Sequence, residues 1–316
     1  MQHARAFARL VLLVALVVYA ASCGDDDSFS TAPPAAGPQH ALIVVSPHPD
    51  DESIFGAATI HRLAADPDWY VRAIYMSSGD KASVPGDCNG IPEAQKTQMI
   101  IALREDETRA AWRVIAANRA VPIDFVRGPD MGLVASSVVV DGIRQDTLSV
   151  AGTAAVEHAV QLATQPLPSS VRSVLFMTAA LYDAHPDHRT AYHAARQAAE
   201  RLRQQGQPDV RLWSWIVHDE ITDLTIGACC GGDLHWPSAG PTDDYHALTD
   251  TPERPRPPLW NHVEDVSAAA GIRQQALAQH VSQVVGYPPL CMKVYIPRFY
   301  TRWLEKVEEP FYEEIL

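Results

Sequence analysis

The chain has 316 residues, 47% of them apolar, and its formal net charge is −13. This length and composition can build one large domain or two small ones with a buried core. The strong negative charge argues against binding to nucleic acid, or to an anionic membrane surface, through bulk electrostatics.

Residues 1–22 have the pattern of a secretory signal. The basic stretch MQHARAFAR precedes the apolar run LVLLVALVVYAA, which is shorter than the roughly 20 residues that span a bilayer. The segment AASC at 20–23, which begins at the end of this run, resembles a bacterial lipobox, in which Cys23 becomes the lipidated first residue of the mature protein. We therefore expect a lipid-anchored protein of the bacterial cell envelope. An ordinary signal peptide that is cut near Cys23 is the alternative.

Residues 23–40 are polar, rich in Pro, Ala and Asp, and lack a periodic apolar pattern. Such a composition predicts a flexible tether. We therefore expect a single folded domain at 41–316.

Strands and helices are predicted to alternate along this domain. The β-branched run ALIVVS at 41–46 is typical of a strand that is buried on both faces. The other predicted strands are 71–78, 123–126, 171–179 and 211–218. The predicted helices are 53–66, 97–117, 154–164, 189–204 and 265–283. This alternation predicts an α/β, Rossmann-like layered fold with a largely parallel sheet flanked by helices.

Two segments do not follow the alternation. The stretch 219–265 is rich in Gly, Pro, Asp and His, and loops of this length in a compact domain are usually functional or disordered. The aromatic, acidic tail at 299–316 is expected to pack back on the domain.

Four cysteines follow Cys23, namely Cys88, Cys229, Cys230 and Cys291. In an exported protein an even number of cysteines favours one or two disulfides. Because a bridge between adjacent cysteines is rare, we expect Cys88 or Cys291 in at least one pair. Zinc binding by these cysteines is disfavoured, since the sequence has no CxxC spacing.

The first predicted strand runs directly into the motif SPHPDDE at 46–52. Ligands of open α/β sheets bind beyond the carboxyl ends of the strands. No GxGxxG pattern follows this strand, so a dinucleotide site is not indicated. Imidazole and carboxylate groups instead suit a zinc ion. Taken alone, the motif could also be a turn whose acids favour the start of a helix.

A second motif, YDAHPDHRTAYH at 182–193, follows the strand predicted at 171–179. Because parallel strands end at one edge of a sheet, His185 and His188 are expected to approach the first motif. Three protein ligands plus water are the usual catalytic zinc arrangement. Taken alone, HPDH could be a loop with Pro in the first turn of a helix.

This pair of motifs resembles the PIG-L/LmbE-like N-acetylglucosaminyl deacetylase family, with LREDETRAA, GPDMG and ALAQHVSQ as weaker similarities. The resemblance implies an LmbE-like fold and removal of acetyl groups from N-acetylglucosamine units. It implies that His48, Asp51 and His188 hold Zn²⁺. Asp50 would be the general base, and His185 would stabilise the oxyanion and protonate the leaving amine.

Two further residues enter through the same resemblance, because Arg104 and Asp130 match positions that contact substrate. Asp187 lies two residues from His185 and is expected to orient that imidazole, as carboxylates often do. Arg104 could equally pair with a neighbour on its own helix, such as Glu107. Asp130 could equally belong to an Asx turn.

The leading hypothesis is a zinc-dependent hydrolase that deacetylates an N-acetylated sugar or glycoconjugate outside the cytoplasm. A lipid-anchored glycan-binding protein without turnover is the second hypothesis. A third keeps the enzyme but changes the substrate to a non-sugar amide, because loops rather than the fold set the substrate.

Overall fold

The structure is a computed structural model, and it describes residues 37–316 apart from 84, 141–142, 182, 184, 208, 216–261 and 293–307. The predicted signal, most of the tether, Cys23, Cys229 and Cys230 lie outside the described residues, as does most of the 219–265 stretch. None of the helices in the described part of the chain combines the length and the apolar character needed to cross a bilayer.

Strands and helices alternate through the first two thirds of the domain. The strands are β1 (His40–Ser46), β2 (Trp69–Ser77), β3 (Ile123–Gly128), β4 (Val134–Val140), β5 (Ile143–Leu148), β6 (Ser173–Ala179), β7 (Asp209–Trp215), β8 (His262–Asp265) and β9 (Glu308–Ile315). The described helices are α1 (Asp51–Phe55), α2 (Ala57–Ala65), α3 (Glu93–Ile115), α4 (Val150–Ala163), α5 (Pro186–Gln204), α6 (Ala270–Leu277) and α7 (Val281–Val284).

A seven-stranded sheet has the order β3-β2-β1-β6-β7-β9-β8. The five neighbouring strands β3, β2, β1, β6 and β7 pair in parallel. Strand β9 runs antiparallel to β7, and β8 runs antiparallel to β9. The predicted α/β fold with a largely parallel sheet is confirmed. The expectation that the tail packs back on the domain is confirmed for β9.

Strand β1 is the middle one of the five parallel strands, which explains its continuous apolar sequence. Its residues 41–45 are at most 1% exposed. Leu42 and Val44 face a core shared with α1, α2, α3 and α6. Ala41, Ile43 and Val45 face a second core formed with α4 and α5. Both faces are therefore covered by helices, as in other buried parallel sheets.

The order of the sheet reverses between β1 and β6. The chain passes from β1 through α1 and α2 to β2 on one side, and from β6 through α5 to β7 on the other. Such a switch point leaves a crevice beyond the carboxyl ends of the two strands. Both sequence motifs begin at these two strand ends.

Several element boundaries differ from the predictions. The helix predicted at 53–66 begins at Asp51 and is divided at Gly56. The helix predicted at 265–283 is divided into α6 and α7, with His280 in a non-helical conformation between them. The antiparallel hairpin β4–β5 was not predicted, and it pairs outside the main sheet.

Cys88 and Cys291 form a disulfide across 203 residues of sequence, with 5.9 Å between their Cα atoms. The expectation that Cys88 or Cys291 takes part in a bridge is confirmed. The bond joins the loop after β2 to the segment that follows α7.

Candidate active site

The turn after β1 brings His48 and Asp51 together. Ser46 Oγ donates to the carbonyl of His48 at 3.0 Å. The His48 backbone N–H donates to Asp51 Oδ2 at 3.0 Å, and the same oxygen lies 3.2 Å from His48 Nδ1. The strand end and the first turn of α1 thus fix the imidazole beside the carboxylate.

The turn after β6 places two imidazoles at the start of α5. His185 caps this helix, because its Nδ1 accepts a hydrogen bond from the backbone N–H of Asp187 at 3.2 Å. Pro186 is the first residue of the helix, a position that proline tolerates because its missing N–H would have no partner there. His188 follows in the first turn and is fully buried.

The two turns meet across the crevice, as the strand-end argument predicts. His188 Nε2 lies 3.1 Å from His48 Nδ1 and 3.4 Å from Asp51 Oδ2. Together with the 3.2 Å separation of His48 Nδ1 and Asp51 Oδ2, these distances form a nearly equilateral triangle. Ligands of a tetrahedral zinc at about 2.0–2.1 Å would lie about 3.3 Å apart. Two imidazole nitrogens and a carboxylate oxygen at such spacing therefore fit a zinc ion.

His185 lies beside this triangle. Its ring centroid is 4.8 Å from that of His48 and 4.9 Å from that of His188. One ring nitrogen of each of the three histidines lies within 4.8 Å of a ring nitrogen of the other two. His185 is thus near enough to contact a molecule that is bound at this triangle.

An acid at the start of the second motif, Asp183, contacts His188. Asp183 Oδ2 lies 3.0 Å from His188 Nδ1, and both side chains are fully buried. Asp183 Oδ1 also accepts from the backbone N–H of His185 at 2.9 Å. A carboxylate on Nδ1 is the usual partner of a histidine that ligates a metal through Nε2.

Two further carboxylates surround the other nitrogen of His48. Asp130 Oδ1 and Asp187 Oδ2 lie 3.3 Å and 3.4 Å from His48 Nε2. Burial lowers the pKa of His48, but hydrogen bonds to the surrounding carboxylates outweigh burial and raise this pKa well above its usual value. Burial alone would raise the pKa of Asp130. The hydrogen bond to His48 and the charge of His48 outweigh burial and lower this pKa to about 2.

These contacts place Asp187 and Asp130 beside His48, and the roles expected for the two acids stay predictions. Asp187 was expected to orient His185, yet its Oδ2 accepts from the backbone N–H of Met131 at 2.7 Å and faces His48. Its hydrogen bond to His185 comes from the backbone N–H. Asp130 was expected to contact substrate, but its Oδ2 accepts from the backbone N–H of Lys81 at 2.9 Å while Oδ1 faces His48.

Arg104 was also expected to contact substrate, and the structure places it against the predicted base. Its Nη2 lies 3.0 Å from Asp50 Oδ2 and donates to the carbonyl of Pro49 at 2.8 Å. Its Nη1 donates to the carbonyl of Gly79 at 2.7 Å. Gly79 has a φ of +60°, and a Cβ there would lie 1.6 Å from Arg104 Nη1. A side chain at position 79 would therefore displace Arg104.

The environment of Asp50 suits a proton acceptor. Burial raises the pKa of its carboxyl to about 7, against the opposing charge of Arg104. A general base works best when its pKa lies near the working pH. The alternative pairing of Arg104 with Glu107 is not formed, because Glu107 accepts hydrogen bonds from the backbone and hydroxyl of Ser282 at 2.7 and 2.6 Å.

The segment ALAQHVSQ, one of the weaker similarities to the family, contacts α1 and α3 beside the crevice. Besides the Ser282 contact with α3, His280 Nε2 lies 3.1 Å from Ser53 Oγ on α1. Ser53 Oγ donates to the buried carboxylate of Glu52 at 2.8 Å. The break between α6 and α7 thus directs His280 towards the helix that carries Asp51.

Sequence comparisons relate the chain to known deacetylases. The model of the PIG-L family, described as GlcNAc-PI de-N-acetylase, matches residues 43–199. The 1D-myo-inositol 2-acetamido-2-deoxy-alpha-D-glucopyranoside deacetylase of Rhodococcus opacus (strain B4) is 28% identical over 263 residues, which is 79% of this chain and 84% of the relative.

Two solved structures match most of the chain at low sequence identity. The N,N'-diacetylchitobiose deacetylase of Pyrococcus horikoshii is 16% identical over 88% of this chain and 84% of its own, with a TM-score of 0.47. A conserved protein of Thermus thermophilus is 17% identical over 86% of this chain and 92% of its own, with a TM-score of 0.46.

Proposed function

Because this chain belongs to the PIG-L family of de-N-acetylases, we propose that it is a zinc-dependent hydrolase that removes acetyl groups from N-acetylated sugars outside the cytoplasm. The observation that carries the proposal is the triangle of His48 Nδ1, Asp51 Oδ2 and His188 Nε2. It lies at the switch point of the sheet, with Asp50 and His185 beside it.

The donor set fits a zinc ion held by His48, Asp51 and His188. A zinc ion held there would supply a Lewis acid for the acetamide oxygen and would lower the pKa of a water to about 7. Asp50 accepts the proton of the attacking water, and Arg104 keeps its carboxylate in place at 3.0 Å. His185 stabilises the negative charge that develops on the acetamide oxygen and then protonates the leaving amine.

The proposed substrate class is an N-acetylglucosamine unit within a larger glycoconjugate. The Rhodococcus relative is, as its name states, a deacetylase of an acetamido-glucopyranoside joined to inositol. The export pattern at 1–22 favours extracellular glycans or cell-wall sugars as substrates of this chain over a cytoplasmic one.

The test is acetate release by the purified domain, residues 37–316, after metal removal and after zinc is restored. N-acetylglucosamine, N,N'-diacetylchitobiose and an N-acetylglucosaminyl inositol serve as sugars, and a simple N-alkylacetamide serves as the non-sugar amide. The proposal expects zinc-dependent acetate release from at least one sugar and none from the alkylacetamide. Sugar binding without acetate release would instead support the glycan-binding alternative, and turnover of the alkylacetamide would support a broader amidase.

The proposed location rests on the signal-like residues 1–22 and on Cys23. The full chain is expected to partition with membranes in a bacterial host that processes lipoproteins. Cys23→Ala should release it into the soluble fraction. A Cys23→Ala protein that stays equally membrane-bound would contradict the lipid anchor.

A further inference from the structure

We propose that Asp183 is the positioning residue of the metal ligand His188, and that the β4–β5 hairpin holds Asp183 in place through Arg189 and Asp146. The inference rests on the proposed function, because it assigns His188 to the metal. It adds a support that reaches the site from a hairpin outside the main sheet.

The first step is the contact of Asp183 with both histidines of its turn. Its Oδ2 lies 3.0 Å from His188 Nδ1, and its Oδ1 accepts from the backbone N–H of His185 at 2.9 Å. A proton on His188 Nδ1 that is donated to Asp183 leaves the lone pair on Nε2. That nitrogen is the atom that faces His48 and Asp51.

The second step is the support of Asp183 itself. Its backbone carbonyl accepts a hydrogen bond from Arg189 Nη1 at 2.8 Å. Arg189 is the residue after His188, and its side chain is only 2% exposed. The guanidinium therefore lies under the turn that carries the site histidines and cannot exchange its partners for water.

The third step leads from Arg189 to the hairpin. Arg189 Nε and Nη2 donate to Asp146 Oδ2 and Oδ1 at 2.6 and 3.0 Å. The Asp146 side chain is 1% exposed, so this two-fold contact is screened from solvent. A bidentate pair of guanidinium and carboxylate fixes the orientation of both groups. Arg189 Nη2 also donates to Ser137 Oγ at 3.3 Å, so that both strands of the hairpin bind the guanidinium.

Charge pairing alone would not require this arrangement. A salt bridge to Asp146 needs only Nε and Nη2 of Arg189. The third nitrogen, Nη1, donates to the carbonyl of Asp183, whose carboxylate lies against His188. The hairpin, Arg189, Asp183 and His188 thus form one continuous chain of contacts that ends at the metal site.

The experiment measures zinc affinity by competition with a chelator, using the full chain without bound metal. Asp183→Asn should weaken zinc binding by about 10–100-fold, the usual effect of removing such an outer partner. Asp146→Asn should weaken it in the same direction but by less, because one more contact separates it from the ligand. Asp106→Asn, the same change at an 81% exposed side chain on α3, is the matched control and should bind zinc like the wild type.

Wild-type zinc affinity in a folded Asp183→Asn protein would overturn the inference, and wild-type affinity in folded Asp146→Asn would overturn the part played by the hairpin. NMR of histidine nitrogens in the zinc-loaded wild type tests the same idea if a variant does not fold. His188 should carry zinc on Nε2 and a proton on Nδ1, and zinc on Nδ1 would overturn the inference.

The two proposals fail separately. A wild type that binds zinc but releases acetate from no substrate would refute the proposed function and leave the role of Asp183 standing. A wild type that deacetylates sugars while Asp183→Asn keeps full zinc affinity would refute only the role of Asp183.

Discussion

The turn after β1 and the turn after β6 contribute to one site in different ways. The first contains adjacent carboxylates, Asp50 and Asp51, and the second contains two imidazoles, His185 and His188. Asp50 contacts Arg104 of α3 at 3.0 Å, whereas Asp51 contacts the backbone N–H of His48. Neighbours in sequence therefore acquire different chemistry because they have different partners in space.

The supports of the two turns also come from different elements. Arg104 of α3 contacts the first turn and also donates a hydrogen bond to the carbonyl of Gly79. Asp183 supports the second turn and is reached from the β4–β5 hairpin through Arg189. If this division is correct, a change in one support should alter one turn and leave the chemistry of the other in place.

The largest difference between two variants, in zinc content and turnover, is expected within the second turn. His185→Gln should lower turnover by a factor of about 10²–10⁴, the usual contribution of general acid–base catalysis, while zinc content stays at the wild-type level. His188→Gln should lose zinc. Zinc content and acetate release are measured on both proteins, with His193→Gln on the same helix as the control. Loss of zinc from His185→Gln would make His185 a ligand and remove the distinction.

Arg104 gives the next test, at the first turn. Arg104→Lys keeps the positive charge but cannot reach Asp50, Pro49 and Gly79 at once. Misplacing a reacting group by about 1 Å can cost about 10² in rate. We expect kcat to fall by about that factor with little change in KM. A rise in KM at unchanged kcat would instead favour the substrate contact that the family resemblance implies.

Arg109→Lys is the control for Arg104→Lys. Arg109 lies on the same helix, its side chain is 44% exposed, and it pairs with acids of α3. Its kcat and KM should match the wild type. An equal loss of kcat in both variants would show that α3 tolerates no arginine replacement, and Asp50 would not be the cause.

The disulfide gives a smaller effect, on stability. Replacing Cys88 and Cys291 by Ser should lower the free energy of unfolding by about 2–4 kcal/mol, the typical contribution of a bridge. Denaturant unfolding checks this, with reductant lowering the midpoint of the wild type and not that of the variant. Identical midpoints would contradict the bridge. Zinc content should be unchanged, since both cysteines lie outside the second turn. Loss of zinc on reduction would show that the loop after β2 also affects the metal ligands of the second turn.

Much of the site could be predicted from the sequence because it depends on strand ends. Parallel strands β1 and β6 are adjacent, so His48 and His188 meet across 140 residues of sequence. Contacts made by long side chains could not be predicted in the same way. Arg104 reaches Asp50, and Asp130 reaches His48, only through the tertiary approach of α3 and of the loop after β3.

The hairpin and the divided C-terminal helix show two other limits. VASSVVVDGIRQDTL contains an Asp-Gly pair directly after a valine-rich run, and Asp-Gly between two strands is a signal of a two-residue hairpin. The pattern at 265–283 is helical throughout, but His280 leaves the helix, and its side chain lies 3.1 Å from Ser53 Oγ. A buried contact between distant segments there overrides local helix propensity.

The adjacent acids of the first turn carry the central claim, that Asp51 holds the metal and Asp50 accepts the proton. The most direct measurement compares zinc content and acetate release for Asp50→Asn and Asp51→Asn, purified side by side. Asp50→Asn should retain zinc and lose a factor of about 10²–10⁴ in turnover, whereas Asp51→Asn should lose zinc because its charged ligand is gone. Full activity in Asp50→Asn, or zinc lost from Asp50→Asn and kept by Asp51→Asn, would contradict the account.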